Sequence, residues 1–189
     1  MNDTRWNNPS MFVFLADGFE EVEAFTPIDY ARRVGIQVKT VGLEGKQICS
    51  ARNILVLCDT TVEEVAEQTP DIVFFPGGLK NAETAQKNNL ARSITERVYK
   101  KDGLVVGICA APAIVLYHWG IIGDKTFTCY PGMEANLDTK AYSKMRTVVD
   151  KNLLTSCAPG SAEECSFELI RIVCGEQKLQ QLKEDIVAR

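Results

Sequence analysis

The sequence predicts an α/β fold in which a mainly parallel sheet is covered by helices on both faces. Three observations carry that expectation. Short apolar runs recur at 11–16 (MFVFLA), 71–75 (DIVFF) and 104–108 (LVVGI), the pattern of strands buried on both faces. Segments of helical periodicity lie between and after them, the alternation that builds crossovers between parallel strands. Each run also ends in a polar, glycine-rich or small-residue turn, at 17–23, 76–79 and 108–111, and in such sheets ligands gather outside the carboxyl ends of the strands.

Taken in order, the first strand, 11–16, closes at Asp17-Gly18. In the segment that follows, Val22, Phe25, Ile28 and Ala31 recur at helical spacing, Pro27 is tolerable near a helix start, and Gly35 suits the position just past the helix end. Residues 37–42 alternate and form the second expected strand. Residues 46–58 read as an exposed hairpin or excursion, with 51–53 as its turn and 54–57 as a β-rich arm. Asp59, Thr60 and Thr61 followed by Glu63 and Glu64 give a helix-start signal for a short helix to Gln68. The strand at 71–75 is stopped by Pro76-Gly77-Gly78. Helices are expected at 81–87 and 89–101, the second with Leu90, Ile94 and Val98 on one stripe. The strand 104–108 runs through Cys109 into a helix over 113–119. A further strand is expected at 125–129, a turn at 130–132, and short strands at 148–150 and 153–156. Pro159-Gly160 then breaks the chain before a helix at 161–174, with Phe167, Ile170 and Cys174 facing one way, and a last helix at 176–186. Residues 1–10 are expected to be an N-terminal extension and 11–189 a single domain.

Composition limits the partners. The chain has 189 residues, 46% hydrophobic and 24% charged, enough for one soluble core without disulfides or metals. A net charge of −4 gives no electrostatic footprint for nucleic acid or an anionic membrane, and neither is expected as a partner. Seven cysteines without a close CxxC pair and a single histidine match neither a disulfide framework nor zinc spacing, so reduced thiols and no bound metal are expected. The polar start MNDTRWNNPS has no apolar stretch of an export signal, which points to a cytoplasmic protein. Residues 103–123 are long and apolar enough to score as a membrane span, but their glycines, Pro112 and the β-branched residues of their first third fit a buried strand followed by a buried helix.

The chemistry centres on Cys109. Between a strand and a helix it would sit at an elbow, where the next residues, Ala110 onward, present free N–H groups. An unperturbed thiol is only about 3% ionised at neutral pH, and a helix N-terminus lowers its pKa, which would make Cys109 a nucleophile. The alternative is an inert buried cysteine. Gly77-Gly78 can turn a backbone N–H into the same pocket and, with that of Ala110, form an oxyanion hole; as a PGG sequence it also suits a plain turn. Glu20, Glu21 and Glu23 fit the dipole of a helix start, but Glu23 lies amid Val22, Ala24 and Phe25. A buried carboxyl there would stay protonated to higher pH, could donate to a thiolate or handle a substrate proton, and would titrate with the thiol as a pair. His118 lies nine residues beyond Cys109, about 2.5 helical turns away, so a Cys-His-Asp triad lacks its base.

These residues resemble the ThiJ/PfpI superfamily, specifically the branch of the Parkinson-associated protein deglycase and its bacterial relatives. The resemblance runs from about 11 to 174 through LADGFEEVEAFTPIDYARRVGIQV, DIVFFPGG, GLVVGICAAP and SCAPGS with SFEL following. It implies a flavodoxin-like three-layer sandwich, usually a homodimer. Cys109 falls on the reactive elbow cysteine, Glu23 on the carboxyl that hydrogen-bonds it, and Gly77, Gly78 and Ala110 on the backbone lining the pocket. Arg52 falls on an arginine that in relatives approaches the site from the partner subunit, and Glu20 and Tyr130 are expected around the same pocket. The implied activity is that of a cofactor-independent glyoxalase or deglycase acting on reactive α-oxoaldehydes or glycated substrates. The alternative is an oxidative-stress sensor or protective, chaperone-like protein whose cysteine becomes a sulfinic acid. The chain departs from relatives in having Tyr130 where some place a histidine, Ala110 where the protease-like branch has histidine, and Cys157 where an arginine is common.

Overall fold

The strands of the computed structural model are β1 (Ser10–Leu15), β2 (Gln37–Gly42), β3 (Gln47–Cys49), β4 (Leu55–Leu57), β5 (Thr60–Thr61), β6 (Ile72–Phe75), β7 (Leu104–Ile108), β8 (Thr147–Asp150) and β9 (Leu153–Ser156). The helices are α1 (Glu21–Arg33), α2 (Leu79–Lys87), α3 (Asn89–Lys100), α4 (Ala162–Cys174) and α5 (Glu176–Asp185). Residues 6–188 are described; half of the expected extension, and with it the first half of MNDTRWNNPS, lies outside them. Seven strands form one sheet in the order β5-β2-β1-β6-β7-β9-β8. All neighbours are parallel except β8, which runs antiparallel to β9. The hairpin β3–β4 stands apart as its own antiparallel ladder.

The central strands dictate the layers. β6 and β7 are buried at every residue and β1 at all but its first, so both faces need a cover. Alternate side chains point to opposite faces. Phe12 and Phe14 of β1 join Ile94 and Val98 of α3 and Val115, Leu116 and Trp119 on one side. Met11, Val13 and Leu15 join Ala24, Ile28 and Ala31 of α1 and Leu169, Ile170 and Val173 of α4 on the other. This is the expected three-layer sandwich. No helix among the described residues is long and apolar enough to cross a membrane.

Several local expectations fail for identifiable reasons. Residues 60–68 form no helix: Thr60 and Thr61 pair with Val41 and Gly42 as an edge strand, and turns follow to Glu67. The signal was real in part, since Glu64 accepts hydrogen bonds from Thr60 Oγ1 and the Thr61 N–H at 2.6 and 3.3 Å, but the β-branched run favours the sheet edge. Residues 125–129 make only a bridge between Phe127 and Tyr142. The N–H groups of Thr126 and Thr128 are taken by side chains, Asp150 Oδ2 and Thr155 Oγ1, so the segment packs across a sheet face instead of extending the ladder. Beyond Cys109 the chain enters a π-helical turn, Pro112–Leu116, closed by the Tyr117 N–H on Pro112 O at 2.9 Å, and not a regular α-helix.

Three helix faces are also rotated from the expected stripes. Val22 is 50% exposed and Phe25 only half-buried, whereas Glu23, Ala24, Pro27, Ile28 and Ala31 face inward. Ala91 takes the place of the exposed Leu90 beside Ile94 and Val98. On α4, Phe167 and Cys174 are half-buried at the flank of a face made by Cys165, Leu169, Ile170 and Val173.

Candidate active site at the carboxyl ends of the central strands

β1, β6 and β7 are adjacent in the sheet, so the turns at their carboxyl ends meet. Cys109, the first residue after β7, has φ 62°, a left-handed conformation unusual for a residue with a Cβ. It is held there from both sides: its N–H donates to Ser156 O at 2.9 Å and its carbonyl accepts from the Tyr130 N–H at 2.8 Å. Strain of this kind persists only where the surroundings over-determine it. The conformation leaves the thiol half-buried between the two layers of the core, with the N–H groups of Ala110 and Gly78 donating to its sulfur.

Glu23 arrives from α1. Glu20 caps that helix by accepting the Glu23 N–H at 2.9 Å, which fixes the first turn and sends the Glu23 side chain inward, where it has 0% exposure. Its Oε2 accepts the Gly77 N–H at 2.7 Å, and the Cys109 thiol hydrogen-bonds the same carboxyl. Gly77 must lack a side chain here: a Cβ would collide with Glu23 Oε2 and stand 2.6 Å from Cys109 Cβ and 3.0 Å from its Sγ.

Burial pushes the Glu23 carboxyl up to about 7; the hydrogen bonds from Cys109 and Gly77 oppose it, and the Glu20 charge adds to it. Burial, then the Glu23 charge, pushes the Cys109 thiol well above its ordinary value, against the pull of the Ala110 and Gly78 N–H groups. The expected lowering of the thiol by the following helical turn is therefore overturned, because two N–H donors are outweighed by desolvation and a neighbouring carboxylate. Near neutrality the two acids behave as a pair sharing one proton.

Beside the thiol opens a pocket of about 420 Å³. Of the residues singled out from the sequence, Cys109, Ala110, Gly78, Glu20, Arg52 and Tyr130 line it. Glu23 and Gly77 lie behind the thiol, and the Gly77 N–H is spent on Glu23 rather than offered to the pocket. Tyr130 is 47% exposed at the rim. Arg52 rides on the β3–β4 turn of the same chain, with its backbone N–H on Glu21 Oε1 at 2.6 Å.

A model of the DJ-1/PfpI family matches residues 9–172. The chain belongs to the DJ-1/PfpI family. Protein dj-1beta of Drosophila melanogaster is 34% identical over 181 residues, 94% of this chain and 96% of the relative. The crystal structure of Drosophila melanogaster DJ-1beta superposes with a TM-score of 0.92 at 32% identity, covering 97% of this chain and 100% of that one. The Parkinson disease protein 7 homolog of Danio rerio is 32% identical, over 94% of this chain and 96% of the relative. A glutathione-independent glyoxalase of Caenorhabditis elegans, DJR-1.2, is 27% identical, over 86% and 87%.

Within this DJ-1/PfpI chain, His118 is exposed and its Nδ1 lies 3.1 Å from Ala113 O, away from the elbow. Among the described residues no three His, Cys, Asp or Glu side chains gather to hold a metal ion. Sequence reasoning missed Leu79, Met133 and Pro159 in the pocket wall. Two buried polar residues stand behind it: Glu21, seen in the sequence only as a member of the acidic cluster, and Asn81, which sequence reasoning missed. Glu21, 8% exposed, accepts Ser50 Oγ and the Arg52 N–H and so ties the hairpin turn to α1. Asn81, 1% exposed, binds the backbone of both Ala16, just past β1, and the 76–78 turn. The one signal for Asn81 was an amide beside Ala82 on the inward face of α2.

Proposed function

We propose that this protein is a cofactor-independent glyoxalase or deglycase that acts on reactive α-oxoaldehydes or their glycated adducts through Cys109 and Glu23. The observation that carries the reading is the buried Glu23 carboxyl, with a pKa raised to about 7, hydrogen-bonded to a thiol at the floor of an open pocket. With the proton on Glu23, the thiolate sulfur adds to the aldehyde carbon. The carbonyl electron pair moves to oxygen, beside the Gly78 and Ala110 N–H groups, and Glu23 hands over its proton to complete the hemithioacetal. The Glu23 carboxylate next removes the hydrogen from that carbon, the oxygen-bound proton passes to the neighbouring oxygen, and Glu23 delivers its proton to the second carbon. The product is a thioester. Water then cleaves the S–C bond, releasing a hydroxy acid and restoring the thiol. The glyoxalase relative supports the reaction class. The test is D- or L-lactate formation from methylglyoxal without glutathione. It should be lost in Cys109→Ser and in Glu23→Gln, and unchanged turnover in either variant overturns the assignment.

A second reading, an oxidative-stress sensor or protective protein with little turnover, is favoured by the same carboxyl: protonated Glu23 is placed to donate to an oxidised Cys109 sulfur. Both readings take the protein as a cytoplasmic homodimer. The apolar side chains left open on β4 and α1, Leu55, Leu57 and Val22, supply a surface for a second copy.

A further inference from the structure

The turn at 76–78 has to present two consecutive N–H groups to the reacting pair, and an ordinary turn has no reason to do so. The Gly77 N–H meets Glu23 Oε2 at 2.7 Å and the Gly78 N–H meets the Cys109 sulfur. In a planar trans peptide the carbonyl points opposite to the N–H, and no peptide bond here is cis. The carbonyls of Pro76 and Gly77 must therefore point away from the pair, into the layer beneath α2. There the Asn81 Nδ2 donates to both, at 2.9 Å to Pro76 O and 3.3 Å to Gly77 O. The same side chain is anchored at its other end, where Oδ1 accepts the Ala16 N–H at 2.6 Å at the end of β1.

We propose that Asn81 is a positioning residue of the site: by holding the Pro76 and Gly77 carbonyls it turns the next two N–H groups onto Glu23 and Cys109. It touches neither reacting group. Its carboxamide suits the task because it donates twice from one nitrogen and accepts at its oxygen. A buried amide with those partners met is stable, whereas its removal leaves Pro76 O and the Ala16 N–H unpaired and Gly77 O held only by the Glu20 N–H, at 3.2 Å. The consequence falls on charge as well as on packing. Each released peptide loses the orientation of its dipole towards the anionic form of the pair.

The inference deepens the reading above and rests on it only in taking Cys109 as the reacting atom. Its test is the pH dependence of Cys109 alkylation by iodoacetamide, located by peptide mass. The proteins are wild type, Asn81→Ala, Asn81→Leu, and Ile94→Val, which trims a buried residue in the same layer. Both Asn81 variants should move the alkylation midpoint upward by about one pH unit, the equivalent of one lost hydrogen bond to the charged form. Ile94→Val should lower stability and leave the midpoint in place. A folded Asn81 variant with the wild-type midpoint overturns the proposal. In the wild-type protein, carbamidomethylation of Cys109 should shift the Asn81 side-chain amide resonance, and an unmoved resonance overturns the proposal even where neither variant folds. If wild type makes no lactate but the midpoint moves, the glyoxalase reading fails and the role of Asn81 stands.

Discussion

Glu23 links the chemistry of the site to the stability of the fold. Its pKa rises from 4.5 to about 7, first through burial. Between those values the folded protein keeps a proton that the unfolded chain has released. Folding stability therefore falls as pH climbs from about 4.5 to about 7 and stays lower above that. At 1.36 kcal/mol per unit the cost is roughly 3 kcal/mol. Glu23→Gln keeps the shape and removes the titration. Melting temperatures of the two proteins should coincide near pH 4.5 and diverge towards neutrality, with the variant the more stable. Parallel melting curves would mean that Glu23 carries no such burden. The residue was legible in the sequence as an acid among apolar neighbours, but the burial that raises its pKa is made by the fold, and the Gly77 N–H that opposes the rise lies 54 residues away. The direction of the Cys109 shift was not legible, because a cysteine after a strand reveals the N–H donors and not the depth of burial.

At the scale of elements, β6 and β7, buried on both faces, were readable because their sequences, IVFF and LVVGI, hold no polar side chain. Edges were less so: β5 has two residues and owes its state to pairing with β2, which no local signal contains. The hairpin β3–β4 was visible from its turn, where Asn53 takes φ 63°, a conformation Asn tolerates. Its outer side carries the argument for assembly. Leu55 and Leu57, two apart and so on one face of β4, are 63% and 76% exposed, and Val22 on α1 is 50% exposed. Apolar side chains of this size left open to solvent favour association. Sedimentation velocity should show a dimer for wild type and a monomer for the double variant Leu55→Glu, Leu57→Glu. A wild-type monomer, or a dimer unaffected by both charges, would remove this surface from the assembly.

Across the whole molecule, the location of the site followed from topology: the ends of β1, β6 and β7 converge because these strands are neighbours. What topology does not convey is the wiring between them. Asn81 reaches Ala16 across 65 residues, and such bonds have no periodicity to betray them. The fold also sorts seven thiols into unequal environments. Cys58, Cys129 and Cys165 are buried, and burial raises the pKa of each, keeping them protonated and shielded. Cys49, Cys109, Cys157 and Cys174 are half-buried, and Cys109 has two backbone N–H donors and a carboxyl against its sulfur. With Glu23 protonated, all three stabilise a thiolate and then the oxygens added to it. A hydroperoxide transfers one oxygen per O–O bond broken and leaves as water or an alcohol, so a sulfinic acid consumes two. Brief mild peroxide should add two oxygens that map to Cys109, while Cys58, Cys129 and Cys165 stay reduced until the protein unfolds globally. Oxidation spread evenly over the seven thiols would show that the environment of Cys109 confers no selectivity, and would remove the sensor reading.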